Sequence, residues 1–176
     1  MRKIILYSAL SLDGFVAREN GEVDWLHDPD LMLEGEDFGY ADFYDSIDST
    51  LMGGNTFRQI LSFDVPFPYA GKNNFVFSRD IMLQHPECTF VHGNIISYVK
   101  KLKEGNGKDI WLVGGGQINA LLLAGQVIDE FIFSVIPIVL GKGIPLFDGL
   151  TSSHKLKLKS SKSYSNGIIQ NTFVSK

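Results

Sequence analysis

The chain of 176 residues has a single cysteine, no dense run of lysine and arginine, and no apolar segment long enough to cross a membrane. Because Cys88 is alone, no intramolecular disulfide can form, which fits a reducing compartment. The most apolar segment, residues 131–140, contains Ser134 and Pro137 and is about half of the ~20 residues that a membrane helix needs. We therefore expect a cytoplasmic protein without a membrane partner.

Positive charge is also scarce. Lysine and arginine number 16 and aspartate and glutamate number 20, which gives a net charge of −4. Binding of nucleic acid depends on a basic patch that releases phosphate counterions, so we expect no nucleic-acid partner. The four histidines have no metal-ligand spacing and no cysteine pair beside them, so the sequence predicts no metal site.

The remaining composition is that of an ordinary globular protein, with 44% hydrophobic residues. At roughly 150 residues per domain, the length predicts one domain over residues 1–176. A domain of this size buries about 70% of the surface of its unfolded chain, so it needs neither a metal nor a disulfide to fold.

Apolar runs bounded by turn residues alternate with segments of helical period. The runs that predict buried strands are residues 4–10, 50–52, 74–78, 89–92, 110–113 and 130–139. The segments that predict helices are residues 40–47, 56–61, 95–102 after an Asn94 cap, and 117–124. This alternation predicts an α/β fold with a mixed, mostly parallel central sheet, in which ligands bind beyond the carboxyl ends of the strands. Residues 156–158 and 168–174, separated by a turn at Asn166 and Gly167, predict antiparallel C-terminal edge strands.

Two strand–helix junctions are rich in glycine. Gly114, Gly115 and Gly116 form one, and Gly53 and Gly54 belong to the other. Glycine lets the backbone approach a ligand closely, while the free N–H groups and the dipole of a helix start attract phosphate. Neither junction has the Rossmann or P-loop pattern, and each alone is equally compatible with a tight structural turn. Their presence in one small sheet favours an extended ligand such as a dinucleotide.

A third junction carries Ser78 and Arg79 at the end of a predicted strand. A guanidinium beside a hydroxyl suits a phosphate monoester, such as the 2′-phosphate of NADP. The alternative is a turn in which Arg79 pairs with Asp80.

Five short motifs follow one another along the chain. They are GFVA at residues 14–17, DW at 24–25, GGNTF at 53–57, FSR at 77–79 and VGGG at 113–116. This order resembles the dihydrofolate-reductase-like superfamily. The segment IPIVLGKGIPLF at residues 136–147 is closer to one branch, the reductase domain at the C-terminus of the riboflavin-biosynthesis protein RibD and its stand-alone relatives. The resemblance covers about residues 4–149 and implies a three-layer dihydrofolate-reductase-like fold.

The resemblance also implies an activity: an NADPH-dependent reductase that passes a hydride to an electron-poor carbon of a small heterocycle or to a ribosyl imine. The implied substrate is a riboflavin-type pyrimidine, as for a 5-amino-6-(5-phosphoribosylamino)uracil reductase, and dihydrofolate is the alternative among the pteridines. A non-catalytic dinucleotide-binding protein is an alternative of another class. A homodimer and a reductase module without a deaminase domain are expected on the same ground.

The resemblance assigns site residues to cofactor and substrate. Those assigned to the cofactor are Ala17, Gly53, Asn55, Thr56, Phe57, Ser78, Arg79, Val113, Gly114, Gly115, Gly116, Gln117 and Ile118. Those assigned to the substrate are Ala9, Asp13, Trp25 and Ser134. The loop at residues 13–17 would border the nicotinamide and could act as a lid.

Two positions depart from the pattern of the family. Gly54 stands where many relatives have an arginine, so one phosphate contact is missing and selectivity for NADPH rests on Arg79, with NADH as the alternative. Phe15 stands where riboflavin-pathway reductases often have a lysine, which argues against a ribose-phosphate substrate.

Reduction of a C=N bond also needs a proton, which a carboxylate in an apolar pocket can relay. The candidates are Asp24, Asp28, Asp30, Glu34, Glu36, Asp37, Asp42 and Asp45. Asp37 lies three residues before Tyr40, at the inward edge of an apolar helix face, whereas Asp42 should point outward. Asp37 is therefore the first candidate for catalysis and Asp30 the second, and the alternative for Asp37 is a plain helix N-cap.

Overall fold

A computed structural model describes residues 1–31, 33–63 and 65–176, which contain ten strands and four α-helices. The strands are β1 (Ile4–Ser11), β2 (Phe15–Ala17), β3 (Ile47–Gly53), β4 (Asn73–Phe77), β5 (Cys88–Val91), β6 (Asp109–Gly114), β7 (Glu130–Ile136), β8 (Ile144–Pro145), β9 (Leu156–Ser163) and β10 (Ile169–Ser175). The helices are α1 (Tyr40–Ser46), α2 (Gly54–Ser62), α3 (Ile95–Glu104) and α4 (Gly116–Ala124). Short 3₁₀ turns lie at Asp24–His27 and Pro29–Leu31.

Eight of the strands form one sheet in the order β5-β4-β3-β6-β1-β7-β10-β9. The first six are parallel to one another, and β10 and β9 are antiparallel at one edge. The predicted mixed sheet with an antiparallel C-terminal edge is therefore confirmed. Strands β2 and β8 form a separate two-stranded ribbon, which was not predicted because segments of two or three residues carry no periodicity.

The helices cover the two faces of the sheet. Phe43 of α1 and Phe57 of α2 pack on one face, against Trp111 of β6. Val99 of α3 and Leu122 of α4 pack on the other. Both faces of the parallel strands are thus buried, which explains why those strands read as continuous apolar runs instead of alternating.

The ends of several elements follow from local chemistry. The Asn94 side chain accepts a hydrogen bond from the Ser97 backbone N–H at 3.0 Å, which confirms the predicted cap of α3. Strand β7 ends at Ile136, three residues before the predicted end, because Pro137 has no N–H to donate. Ile47 opens β3 instead of closing α1. In the described ranges, the helices are too short or too polar to cross a membrane.

Candidate functional site

A cavity of about 1100 Å³ lies along the carboxyl ends of β3, β4, β6 and β1 and is called here the large cavity. All three predicted junctions contribute to its lining, represented by Gly53, Ser78 and Gly115. Parallel strands end at the same edge of a sheet, which brings together residues that are far apart in the sequence. The volume exceeds the roughly 300–1,000 Å³ of most small-molecule sites, so it suits an extended ligand.

Two helices point their N-termini into this cavity. Helices α2 and α4 begin at Gly54 and Gly116, and at neither start does a side chain accept the hydrogen bonds of the first turn. By contrast, α3 has the Asn94 cap. Uncapped N–H groups and the positive end of the helix dipole together attract an anion such as a pyrophosphate.

The glycines let these two helix starts come close to their neighbours. A Cβ at Gly115, whose φ is +24°, would lie 2.8 Å from Oγ1 of Thr56 at the start of α2. A Cβ at Gly116 would lie 2.5 Å from the carbonyl oxygen of Pro145 in the ribbon. A side chain at either position would push these segments apart and reduce the access of backbone N–H groups to the cavity.

The third junction differs from the alternative stated above, in which Arg79 pairs with Asp80. The carboxylate of Asp80 pairs with Nη2 of Arg58 at 2.8 Å, and within the described chain no ion pair joins it to Arg79. Hydrogen bonds from the Met82 backbone N–H and from Arg58 hold the pKa of Asp80 below its usual value, so it is ionised. The exposed Arg79 side chain lines the large cavity beside Ser78 and remains available to a phosphate.

A second cavity of about 180 Å³, called here the small cavity, adjoins the first. Its lining is mostly apolar, with polar groups on Tyr7, Asp37 and Ser134. The full lining is Tyr7, Ala9, Leu26, Leu31, Asp37, Phe38, Ser134, Ile136 and Ile168. An apolar chamber with a few polar groups suits a small ring whose orientation is fixed by hydrogen bonds.

The two cavities share Tyr7, Ala9 and Leu26 in their walls. Ala9 was assigned to the substrate from the sequence, whereas Tyr7 was missed. Residues two apart in a strand point to the same face, so Ala9 was the signal that could have identified Tyr7.

Tyr7 is held firmly at this shared wall. Its ring stacks on that of Phe43, with centroids 4.3 Å apart and an angle of 13° between the planes. The Trp111 indole N–H donates to the Tyr7 carbonyl oxygen at 3.1 Å. Burial, followed by the nearby Tyr164 and Asp37 side chains, raises the pKa of the Tyr7 phenol to about 12. The hydroxyl therefore stays protonated at neutral pH and is a hydrogen-bond donor.

Asp37 contacts the start of α1 and also borders the small cavity. Its carboxylate accepts hydrogen bonds from the backbone N–H groups of Gly39 and Ala41, both at 2.8 Å. These bonds, that from Ala41 most of all, lower the pKa of Asp37. The alternative of a helix-capping side chain is therefore present in the geometry, and Asp37 is ionised at neutral pH rather than holding a proton.

Most of the predicted site residues meet around the two cavities. Those that line the large cavity are Ala9, Ala17, Gly53, Asn55, Thr56, Ser78, Arg79, Val113, Gly115, Gly116, Gln117 and Ile118. Those that line the small cavity are Ala9, Asp37 and Ser134. Five others lie outside both linings: Asp13, Trp25, Asp30, Phe57 and Gly114.

Asp13 ties two loops together and lies outside both linings. It accepts hydrogen bonds from the Ser11 hydroxyl at 2.6 Å and from the backbone N–H groups of Leu140 and Gly141 at 3.1 and 2.7 Å. The Ser11 bond and then these backbone bonds lower the pKa of Asp13. The sequence around Asp13 could not predict its hydrogen bond with Leu140, because Leu140 lies 127 residues further along the chain.

The other four residues lie outside the linings for simple physical reasons. Trp25 is 4% exposed and packs with Ile136 and Ile168 in a small apolar cluster. Phe57 points from α2 into the core. Gly114 is buried with a φ of +117°, so its role is in the turn of the backbone. Asp30 is exposed in the 3₁₀ turn.

The residues around the large cavity fit a pyridine dinucleotide with a phosphorylated ribose. Two uncapped helix starts suit the phosphate groups, and two arginines suit an additional anion. Among the described residues, no three side chains of the metal-ligating types are grouped to hold a metal ion.

Comparisons with known proteins agree with this geometry. Residues 75–170 match the family described as the RibD C-terminal domain. The uncharacterised protein YwjB of Bacillus subtilis is 39% identical over 169 residues, which are 95% of each chain. The crystal structure of a putative riboflavin biosynthesis protein from Shewanella sp. PV-4 is 32% identical, has a TM-score of 0.85 and covers 100% of this chain and 99% of that one.

Two structures of lower identity share the fold. The deaminase/5-amino-6-(5-phosphoribosylamino)uracil reductase of Thermotoga maritima is 16% identical, with a TM-score of 0.75 over 99% of this chain and 57% of that chain. The dihydrofolate reductase of Enterococcus faecalis, complexed with NADP(H), is 14% identical, with a TM-score of 0.67 over 99% of this chain and 96% of that chain. The predicted dihydrofolate-reductase-like fold is confirmed.

Proposed function

Because this chain belongs to the RibD C-terminal domain family, a family of reductase domains, we propose that it reduces a small pyrimidine with NADPH, in the manner of a 5-amino-6-(5-phosphoribosylamino)uracil reductase. The observation that carries the proposal is the shared wall of the two cavities at Tyr7, Ala9 and Leu26. Transfer of a hydride requires donor and acceptor carbons in contact, and an extended cavity that opens onto a small one permits this contact.

The large cavity is the proposed cofactor site. The starts of α2 and α4 bind the phosphate groups linking the two halves of the dinucleotide, and Ser78 and Arg79 bind the 2′-phosphate. When bound, NADPH supplies the hydride. The protein's contribution is to orient the two reactants and to exclude water from the region around Ala9.

The small cavity is the proposed site of the heterocycle. Its apolar residues, such as Ile136 and Ile168, make the surroundings of the ring less polar and strengthen the hydrogen bonds made inside. The Tyr7 hydroxyl donates to a ring carbonyl or nitrogen, and the ionised Asp37 carboxylate accepts from a ring N–H. Since Asp37 is ionised, it orders the substrate, and the proton reaches the substrate through water.

The experiment that tests this function combines binding with turnover. The purified protein is titrated with NADPH and NADH, and oxidation of the nucleotide is then followed with a panel of aminouracils and pterins. We expect tight binding of NADPH, and oxidation of the bound NADPH in the presence of a ribosylated aminouracil, whose ribosyl imine accepts the hydride. Including ribosylated substrates with and without the 5′-phosphate tests the consequence of Phe15 in place of lysine, because the small cavity has no lysine or arginine in its described lining.

Other outcomes of this experiment identify the alternatives. Oxidation with dihydrofolate and not with an aminouracil would support a dihydrofolate reductase. Binding of NADPH without oxidation by any member of the panel would favour a non-catalytic dinucleotide-binding protein. Failure to bind either nucleotide would contradict the proposal.

A further inference from the structure

The absence of a side chain at Gly54 is linked to the position of Ser78. A Cβ at Gly54 would lie 3.0 Å from Oγ and 3.2 Å from Cβ of Ser78, closer than ordinary van der Waals contact. A side chain at this position would require Ser78 to move. The chain therefore has the Ser78 hydroxyl in this corner of the large cavity in place of a side chain at position 54.

A positive charge nevertheless occupies this corner. Nη1 of Arg58 lies 3.6 Å from the position of the missing Gly54 Cβ. Residues four apart on a helix lie one above the other, so a side chain at position 58 of α2 can reach back over the first turn. Among the described residues that line the large cavity, Arg58 and Arg79 carry the positive charges.

Two contacts hold the Arg58 guanidinium in this place. Nη1 donates to Oδ1 of Asn55 at 3.1 Å, and Nη2 pairs with Oδ2 of Asp80 at 2.8 Å. Both partners of the ion pair are about half exposed, at 47% for Arg58 and 42% for Asp80. An ion pair this exposed is weak, so a phosphate dianion can compete with the Asp80 carboxylate for the guanidinium.

We propose that Arg58, together with Ser78 and Arg79, selects the 2′-phosphate of NADPH against the 2′-hydroxyl of NADH. This inference rests on the proposed function, since it concerns the nucleotide of that same site. On binding, the Arg58 guanidinium moves from the Asp80 carboxylate to the phosphate, while Asn55 continues to hold Nη1. The preference for NADPH is then electrostatic and decreases as salt is added.

The test measures binding alone and does not depend on turnover. Wild-type protein and Arg58→Gln are titrated calorimetrically with NADPH, NADH, adenosine 2′,5′-bisphosphate and AMP, at low and at physiological salt. The variant should lose about tenfold in affinity for NADPH and for the bisphosphate, because a hydrogen bond to a charged group is removed. Affinities for NADH and AMP should change by less than twofold. Arg58→Lys should give an intermediate loss, and Arg58→Glu a larger one.

Arg18→Gln is the matched control. Arg18 forms an ion pair of the same type with Asp24, at 2.6 Å and with similar exposure, but it does not line the large cavity. This variant should bind all four ligands as the wild type does. Thermal melts of the variants show whether each is folded, which we expect because Arg58 and Arg18 are largely at the surface.

The outcomes separate this inference from the proposed function. Suppose that wild-type protein binds both nucleotides and that Arg58→Gln lowers the affinities for NADPH and NADH equally or not at all. Then Arg58 does not contact the 2′-phosphate, and only the inference fails. If wild-type protein binds neither nucleotide, the proposed function fails and the inference with it.

Discussion

Individual side chains at the candidate site owe their chemical state to close neighbours. Asp13 and Asp37 both accept backbone hydrogen bonds and both have a lowered pKa, yet Asp13 joins two loops while Asp37 borders the small cavity. Tyr7 has the opposite shift, because burial disfavours the charged phenolate. At neutral pH the small cavity thus contains an ionised acceptor, Asp37, and a protonated hydroxyl that can donate, Tyr7.

Arg79→Ala should lower the affinity for NADPH much more than the affinity for NADH. The side chain is exposed beside Ser78 and, within the described residues, has no carboxylate partner that would compete for it. Loss of one charged hydrogen bond corresponds to about tenfold in the dissociation constant of NADPH. Fluorescence titration of both nucleotides measures this difference, and equal losses would show that Arg79 does not contact the 2′-phosphate.

Asp37→Asn should lower turnover and leave the affinity for NADPH unchanged, because Asp37 borders the small cavity and not the large one.

The folded state of the Asp37→Asn variant should also be less sensitive to acid than that of the wild type. A carboxylate with a lowered pKa stabilises the folded state above its unfolded pKa near 3.8, and this stabilisation is lost as the pH falls through the folded pKa. Steady-state kinetics and acid unfolding monitor the two effects. An unchanged rate would exclude Asp37 from catalysis.

Tyr7→Phe should reduce the affinity for the heterocycle or its turnover by about tenfold, since a hydrogen bond inside an apolar cavity is lost. Nucleotide affinity should remain. The raised pKa also predicts that the wild-type free energy of unfolding falls between about pH 10 and pH 12, as the unfolded phenol ionises first. Urea unfolding at alkaline pH should show a smaller fall for Tyr7→Phe. A rate equal to that of the wild type would remove Tyr7 from the proposed mechanism.

At the scale of secondary-structure elements, the site depends on where helices begin. Helices α2 and α4 both start directly after a strand with glycine at the N-cap, and their first turns face the large cavity. The ribbon of β2 and β8 lies against the start of α4, where Pro145 and Asp148 leave no room for a side chain at Gly116. The start of α4 is therefore packed closely against the segment at residues 145–148, which requires glycine at position 116.

Gly116→Ala should destabilise the protein by about 1–3 kcal/mol, because the new Cβ would lie 2.5 Å from the Pro145 carbonyl oxygen. It should also weaken the binding of both NADPH and NADH, since the start of α4 is the proposed site of the linking phosphate groups, which both nucleotides have. Gly105→Ala is the control: its Cβ would meet no atom closer than 3.4 Å, and its φ of −70° suits any residue. Urea unfolding gives the comparison, and equal stability of the two variants would contradict the steric explanation.

At the scale of the whole molecule, one eight-stranded sheet supplies both cavities. The large cavity follows the ends of its central parallel strands, and the small one lies over the paired strands β1 and β7, next to the antiparallel edge. With a net charge of −4, the overall field does not attract an anionic nucleotide, so the proposed cofactor site depends on local N–H groups and two arginines.

The family resemblance predicts a homodimer, and the chain should therefore elute at twice its own mass. Light scattering coupled to gel filtration over a range of concentrations measures this directly. A monomeric mass at all concentrations would contradict the prediction and would leave the proposed cofactor site unchanged, since that site is built within one chain.

Sequence patterns alone predicted much of this protein. Apolar runs bounded by turn residues identified the six parallel strands, helical periodicity identified the four helices, and the turn at Asn166 and Gly167 identified the C-terminal hairpin, because these features are set by local backbone preferences and the spacing of apolar side chains. The glycine junctions and the Ser78–Arg79 pair were also visible, since each lies within a few consecutive residues. The ends of the elements were predicted less accurately. Ile47 begins β3 instead of ending α1, and β7 ends at Ile136 because Pro137 follows.

Only the tertiary structure decided which side chains work together. It paired Asp80 with Arg58, 22 residues away, and not with its neighbour Arg79. It linked Asp13 to residues 140–141, and it placed Tyr7 in the wall between the cavities. Local sequence records the conformation of a segment, but partners separated by long stretches of chain are chosen by the order and register of the strands, which depend on packing of the whole sheet.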